Sequence, residues 1–314
     1  LDAIQKALPQ LALYPDGSAF RLKSKLAEKL SVDMSRLTIG NGSNELLDLV
    51  ARVFLSPTDN AVVSRHAFVV YPIAVKALGA ELRVAEAKDY GHDLAAMAAM
   101  VDSSTKLVFI ANPNNPTGNW LGIADVENFL KGIPSSVVVV LDEAYHEYVE
   151  KPGYDSGLTF LDKYPNLVVS RTFSKAYGLA GLRVGYCVSH PQVADLLNRL
   201  REPFNVNSLA LAAVEAVLDD ADYLERSLAV NRAGMAQLET GFHQLGLHFI
   251  ESAGNFIAVD FGRDATPLYQ AFLREGIIVR PVGVYEMPTW LRISVGLPEQ
   301  NARFLAACAR VLAS

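Results

Sequence analysis

The stretch Val137-Val138-Val139-Val140-Leu141-Asp142-Glu143-Ala144-Tyr145 decides the fold. Five apolar residues in a row cannot alternate between a wet face and a dry one. The strand they form is therefore expected to be buried on both faces, as the strands of parallel sheets are. Strand-like runs recur on either side, at residues 61–65, 81–85, 106–111, 166–170 and 183–188, and a further short strand precedes Gly40. Between several of them lie amphipathic helical patterns at 44–54, 72–78 and 123–130. Alternation of this kind predicts a doubly wound α/β domain, in which ligands gather at the carboxyl ends of the strands. From 207 to 245 the pattern turns to long helices, followed by strand-like segments at 247–250, 256–261, 277–282 and 291–295 with a helix at 266–275. That change predicts a second, smaller α+β unit.

With 314 residues, 51% of them hydrophobic and 20% charged, the chain can bury a large core. A net charge of −6 gives no general attraction for nucleic acid or anionic membranes, so an anionic substrate has to be met by local arginines. The two cysteines, Cys187 and Cys308, make neither a disulfide framework nor a metal site, and both are expected to be buried. No apolar run approaches 18 residues and no signal-peptide pattern is seen, so a soluble cytoplasmic enzyme is expected.

Four segments carry chemistry. Gly40-Asn41-Gly42-Ser43-Asn44-Glu45 stands between a strand and a helix. It reads equally as a phosphate cradle of helix N–H groups or as an ordinary N-cap, and Glu45 replaces the third glycine of a dinucleotide fingerprint. Asn112-Pro113-Asn114-Asn115-Pro116-Thr117-Gly118 marks a turn in any protein, yet it also puts amide donors at a strand's carboxyl end. Asp142-Glu143 after its apolar strand imitates a magnesium-holding carboxylate, but that reading needs a phosphate loop ending in Gly-Lys-Ser/Thr, which the chain lacks. It otherwise reads as a buried carboxylate aimed at a cationic ring nitrogen or as a helix cap. The fourth segment runs from Arg171-Thr172-Phe173-Ser174-Lys175 to Arg183 and is dense in hydroxyls, cations and glycines. A lysine held there among small residues can be desolvated near an aldehyde, though a lone loop lysine is usually just solvated.

In this order the segments resemble the fold-type I aminotransferases that depend on pyridoxal 5′-phosphate (PLP), over essentially the whole chain. The resemblance is greatest to the histidinol-phosphate aminotransferase subfamily, through Tyr14-Pro15-Asp16-Gly17, Asp142-Glu143-Ala144-Tyr145, Arg171-Thr172-Phe173-Ser174-Lys175 and Leu291-Arg292-Ile293-Ser294-Val295-Gly296. It implies a large domain over 16–225 with a mostly parallel seven-stranded sheet, a small domain over 226–314, and an arm or small-domain part over 1–15. It implies that Lys175 bonds to the cofactor aldehyde and later shuttles a proton, and that Asp142 pairs with the ring nitrogen. Asn115 and Tyr145 would bond the phenolic oxygen, and Ser43, Asn44, Thr172, Ser174 and Arg183 would form the phosphate cup. Tyr14 would be lent to a neighbour's phosphate in a homodimer. Phe68 falls where the family often has a ring-stacking tyrosine, so that hydroxyl is missing here. His66 reads as a structural residue. Arg292 resembles the arginine that grips the substrate α-carboxylate. Arg280 resembles one that contacts a distal phosphate, with a solvated strand-end arginine as the plain alternative. The family's N-E-N-P segment does not occur in this sequence, and a natural N-terminal arm is expected to be absent.

The activity implied is amino-group transfer between glutamate and imidazole-acetol phosphate in histidine biosynthesis. The alternatives are an aromatic aminotransferase, a PLP decarboxylase acting on a phosphorylated amino acid, and a PLP-binding sensor domain without turnover. The last would carry a DNA-binding segment, and no basic helix-turn-helix pattern is seen.

Overall fold

In the computed structural model, which describes residues 1–313, the apolar runs pair into one sheet. Its strands are β1 (Leu37–Gly40), β2 (Asn60–Ser64), β3 (Glu81–Ala85), β4 (Thr105–Ala111), β5 (Val138–Asp142), β6 (Leu167–Thr172) and β7 (Gly185–Ser189). They lie in the order β1-β7-β6-β5-β4-β2-β3, and β7 alone runs against both its neighbours. Strand β5 is central, and its side chains show why the run is unbroken. Val139 and Leu141 point to one side, into a core shared with Val126, Phe129 and Leu130 of helix Ile123–Gly132. Val138 and Val140 point to the other, with Leu46, Leu47 and Val50 of helix Ser43–Phe54 and Tyr71 of helix Val70–Ala77. A polar side chain at any of these four positions would be stranded without water on either face. The same parity continues past the apolar run: Asp142 falls on the side of Tyr71, and Glu143 on the opposite one.

A second sheet is antiparallel and four-stranded, with β8 (His248–Phe249), β9 (Phe256–Asp260), β10 (Arg280–Pro281) and β11 (Trp290–Ser294) in the order β8-β9-β11-β10. One face packs on helices Ala221–Gln244, Ala265–Arg274 and Pro298–Ala313 through Phe242, Phe272, Phe304 and the buried, free Cys308. Cys187 is likewise free and buried, in β7. The other face, with Ala258, Trp290 and Tyr285, looks toward the large sheet.

Two expected strands are shorter than their apolar patterns. The run 277–282 pairs only at Arg280–Pro281, because Ile277 N–H closes the preceding helix on Phe272 O (2.9 Å) and Gly276 N–H on Leu273 O (3.0 Å). This is a Schellman cap with Gly276 in the left-handed region at φ 69°, and it leaves Ile278 84% exposed. The run 247–250 is shortened to His248–Phe249 by the same device, Leu247 N–H bonding Phe242 O. Helix Asp2–Ala7, in the segment expected as an arm, packs on helix Ser208–Val217.

The two units meet where the Asn112–Gly118 loop touches the start of β9. Ala253 N–H donates to Gly118 O (2.9 Å), and Gly118 has φ 86°. A Cβ on Gly118 would stand 2.3 Å from Ser252 Oγ and 2.9 Å from Ser252 Cα. Gly118→Ala is therefore expected to cost about 1–3 kcal/mol of unfolding free energy, from left-handed strain and the displaced contact. Urea denaturation checks this, and a loss under about 0.5 kcal/mol, the usual surface-substitution range, contradicts the close approach.

Candidate active site

A cavity of about 330 Å³ opens at the carboxyl ends of β4, β5 and β6, under the inner face of the small sheet, and falls in the size range of small-molecule sites. It brings together Ser43, Asn44, Phe68, Asn115, Asp142, Tyr145, Thr172, Ser174, Lys175, Arg183, Arg280 and Arg292. Tyr14 is not among its lining residues. It is 83% exposed and stacks on Phe204 with ring centroids 4.8 Å apart.

The floor of the cavity is Asp142, only 4% exposed. Its Oδ2 accepts from Tyr71 Oη at 2.8 Å, while its Oδ1 is buried and has no partner among the described residues. Burial raises its pKa from 3.8 to about 6, against which the Tyr71 hydrogen bond and the Lys175 charge act. A buried carboxylate with one oxygen tied and one free is suited to a cationic N–H donor. Tyr71 was not read as a site residue from the sequence. It is fully buried, stacked on Phe109 at 4.8 Å and 9°, and meets Phe68 edge-on at 5.7 Å. Phe68 lies before helix Val70–Ala77, and the turn in which Tyr71 N–H donates to Phe68 O (3.1 Å) brings the two rings together. Tyr285 also lines the cavity and was missed.

Lys175 lies with its Nζ 5.2 Å from the centroid of the Tyr145 ring. Burial and the nearby Arg292 guanidinium lower its pKa, so more of the reactive free amine is present at neutral pH than in an exposed lysine. Burial raises the Tyr145 pKa, so that hydroxyl stays protonated and can donate.

The glycine loop shapes the other end. Gly42 is the N-cap of helix Ser43–Phe54, at φ 78°, and a Cβ on it would stand 2.3 Å from Arg183 Nη2. Only glycine lets that guanidinium lie across the helix start, where the unpaired N–H groups and the macrodipole favour an anion. Arg183 is itself left-handed at φ 58°, held by Nη1 bonds to Ser174 Oγ (3.3 Å) and Ala180 O (3.1 Å). Strain of this kind persists where its surroundings hold it. Thr172 Oγ1 accepts from Ser174 N–H (3.2 Å), fixing the turn that leads to Lys175.

The roof belongs to the small sheet. Arg280 and Arg292 are direct partners across β10 and β11, so their side chains leave the same face. Arg292 also pairs with Ala258 of the inner face, lies 5.0 Å over the Phe256 ring and donates through Nη1 to Asn115 Oδ1. That bond fixes the Asn115 amide with its carbonyl toward Arg292, leaving Nδ2 as the free donor. His66 Nδ1 lies 2.7 Å from Tyr285 O and its carbonyl accepts from Asn114 Nδ2, which gives it a structural place between the two units. Among the described residues no cluster of three His, Cys, Asp or Glu side chains could hold a metal ion.

A strand-end carboxylate and a half-buried lysine, facing a helix start and two arginines, define an α/β protein with a site suited to an anionic small molecule. Comparison supplies the family. The description "Aminotransferase class I and II" matches residues 2–308, and the chain belongs to that family. It is 62% identical to "Histidinol-phosphate aminotransferase 2" of Pseudomonas aeruginosa, over all of this chain and 85% of that protein. The protein of the same name from Methylococcus capsulatus is 53% identical, over 99% of this chain and 86% of its own length. Among solved structures, histidinol-phosphate aminotransferase of Sinorhizobium meliloti in complex with pyridoxal-5′-phosphate superposes with a TM-score of 0.94. It is 31% identical, over 99% of this chain and 86% of that one.

The Asp142 shift carries a stability consequence. Because its pKa is about 6 in the fold against an ordinary 3.8, the native chain binds the extra proton between those values and loses stability as pH rises through them. At about 1.4 kcal/mol per unit the loss is on the order of 2–3 kcal/mol. Freed of cofactor, Asp142→Asn lacks this titration and should gain about that much on the native chain between about pH 4 and 7. Urea melts across the range check it, and a gap that does not change with pH contradicts the assignment.

Proposed function

We propose that this chain is a PLP-dependent aminotransferase moving an amino group between glutamate and imidazole-acetol phosphate, with histidinol phosphate and 2-oxoglutarate on the other side. The observation that carries the substrate choice is the cross-strand pair Arg280–Arg292 above Lys175, which doubles the positive charge where an anionic substrate end would lie. Likeness to the Pseudomonas aeruginosa and Sinorhizobium meliloti proteins along the whole chain supports it.

The residues fit the cofactor. Asp142 Oδ1 would face the ring nitrogen and favour its protonated form. Phe68 would stack on the ring, while Asn115 Nδ2 and the Tyr145 hydroxyl would donate to its phenolic oxygen. Ser43, Asn44, Thr172, Ser174 and Arg183 would hold the phosphate at the helix start, and Lys175 Nζ would hold the aldehyde carbon. When bound, the cofactor supplies an aldehyde that takes up the amino group and a cationic ring that draws off electrons. As a free amine, Lys175 Nζ would take the proton from the substrate Cα. Its lowered pKa suits it to that work near neutral pH. Arg292 orients the substrate by a planar, two-pronged grip on a carboxylate or phosphate, and Arg280 adds a second contact to a phosphate.

The reading includes a homodimer and a cytoplasmic location. Tyr14 and its stacking partner Phe204, both exposed on this chain, would face a second copy and lend Tyr14 to its phosphate cup. Among the described residues no helix is long and apolar enough to cross a membrane.

Purified protein is expected to show a near-ultraviolet or visible absorbance band that disappears in Lys175→Ala; an unchanged spectrum overturns the cofactor assignment. Followed through that band, histidinol phosphate should react in preference to phenylalanine. Arg280→Ala should lower kcat/KM for histidinol phosphate about tenfold to hundredfold, the worth of a hydrogen bond to a charged group, with little effect on phenylalanine. Equal losses for both donors would remove Arg280 from the phosphate.

A further inference from the structure

Glu143 and Arg171 form a buried ion pair that none of the steps above uses. Glu143 is 1% exposed and Arg171 6%. Arg171 Nε and Nη2 donate to Glu143 Oε2 at 3.0 and 2.9 Å, and Ser156 Oγ donates to the same oxygen at 2.8 Å. Gly157 N–H donates to Oε1 at 2.7 Å, and Arg171 Nη2 also reaches Ser156 Oγ at 2.8 Å. Both charges are thus satisfied out of water. Gly157 is required here, since a Cβ on it would stand 2.6 Å from Leu141 Cδ2 and lift the loop off the strand.

The place of the pair in the sheet is informative. The ladder between β5 and β6 ends at Asp142 opposite Ser170, with one further backbone bond from Glu143 N–H to Ser170 O at 2.8 Å. Past that point β6 continues against β7 alone, with Thr172 opposite Gly185, and the two strands part to open the cavity. Side chains alternate along each strand. Asp142 and Thr172 face the cavity, while Glu143 and Arg171 fall on the reverse side, in line with Leu141 and Val169. The ion pair therefore ties the two strand ends together from behind, at the point where backbone bonding stops. A buried ion pair is a poor way to gain stability, because apolar residues of similar volume often do as well. It does fix geometry, because two guanidinium N–H groups converge on Oε2 while Ser156 and Gly157 hold the carboxylate in place, and charge-assisted bonds of this kind admit a narrow range of separations and angles.

We propose that Glu143 and Arg171 are positioning residues, which set the spacing between Asp142 on one strand end and the Thr172-to-Lys175 turn on the next, so that the cofactor ring is held at both its nitrogen and its aldehyde. This rests on the PLP reading given above. The pair touches neither cofactor nor substrate, and its effect is on how tightly and in what protonation state the cofactor is held.

The test uses holoenzyme of three variants: Arg171→Lys, which keeps the charge but loses the fork; Glu143→Gln; and Glu143→Gln/Arg171→Met, which removes both charges so that neither is left unpaired. Two quantities are read, the rate of PLP loss on dilution and the pH midpoint of the absorbance band, together with KM for the amino donor. PLP loss is expected to accelerate about tenfold in the double variant, the size of effect that removing an outer-shell partner has on a bound group. The pH midpoint should move and KM should change less than about twofold, with Arg171→Lys intermediate. A double variant that melts earlier yet keeps the native off-rate and midpoint overturns the proposal and leaves the pair a support of the fold. If the double variant does not fold, the same two readings on Arg171→Lys decide, native values overturning the proposal. Native protein without any band would instead indict the PLP reading itself.

Discussion

Asp142 sits at the end of an apolar strand, on the cavity lining, with one oxygen bound to Tyr71 and the other buried without a hydrogen-bond partner among the described residues. Burying a carboxylate there is costly, and burial accordingly pushes its pKa up to about 6. The arrangement makes sense when a cationic group arrives to meet the free oxygen. Much of the surrounding structure serves to keep that oxygen where it is. Phe109 stacks on Tyr71, Tyr71 holds the carboxylate, and the Val138–Val140 side of β5 seats the strand on helices Ser43–Phe54 and Val70–Ala77.

Strand parity then distributes the chemistry. In the open sheet the cavity-facing positions of β5 and β6 end in Asp142 and Thr172, and the reverse positions end in Glu143 and Arg171. One period of two thus produces a reactive face and a bracing face from adjacent residues. The small sheet adds its own pair in the same manner. Arg280 and Arg292 stand opposite each other across β10 and β11, and the Arg292–Asn115 bond joins the anion-binding roof to the amide beside the lysine.

How much of this was legible in the sequence differs by element. The central strands were readable because Val137–Leu141 and its neighbours are buried on both faces, which leaves one interpretation for a continuous apolar run. The edges of the small sheet were less so. Apolar residues at Ile277 and Leu247 are compatible with strand, but the preceding glycines let their N–H groups close helices instead, a competition invisible in hydropathy. Most of the residues gathered in the cavity were nameable because they lie in short motifs at a strand end or helix start, as Asn115, Asp142, Lys175 and Ser43 do. Tyr71 was not, since an aromatic in an apolar helix reads as core, and its hydroxyl matters only through Asp142, 71 positions away. The Glu143–Arg171 pair likewise joins two motifs 28 positions apart, and neither motif by itself shows that they meet.

The account stands on Lys175 as the amine that holds the cofactor within reach of Asp142. Borohydride reduction of the purified protein, followed by proteolysis and mass spectrometry, tests this most directly. The account predicts a pyridoxyl-phosphate adduct on the peptide that contains Lys175 and on no other. An adduct on a different lysine, or none from protein that carries the absorbance band, would contradict it.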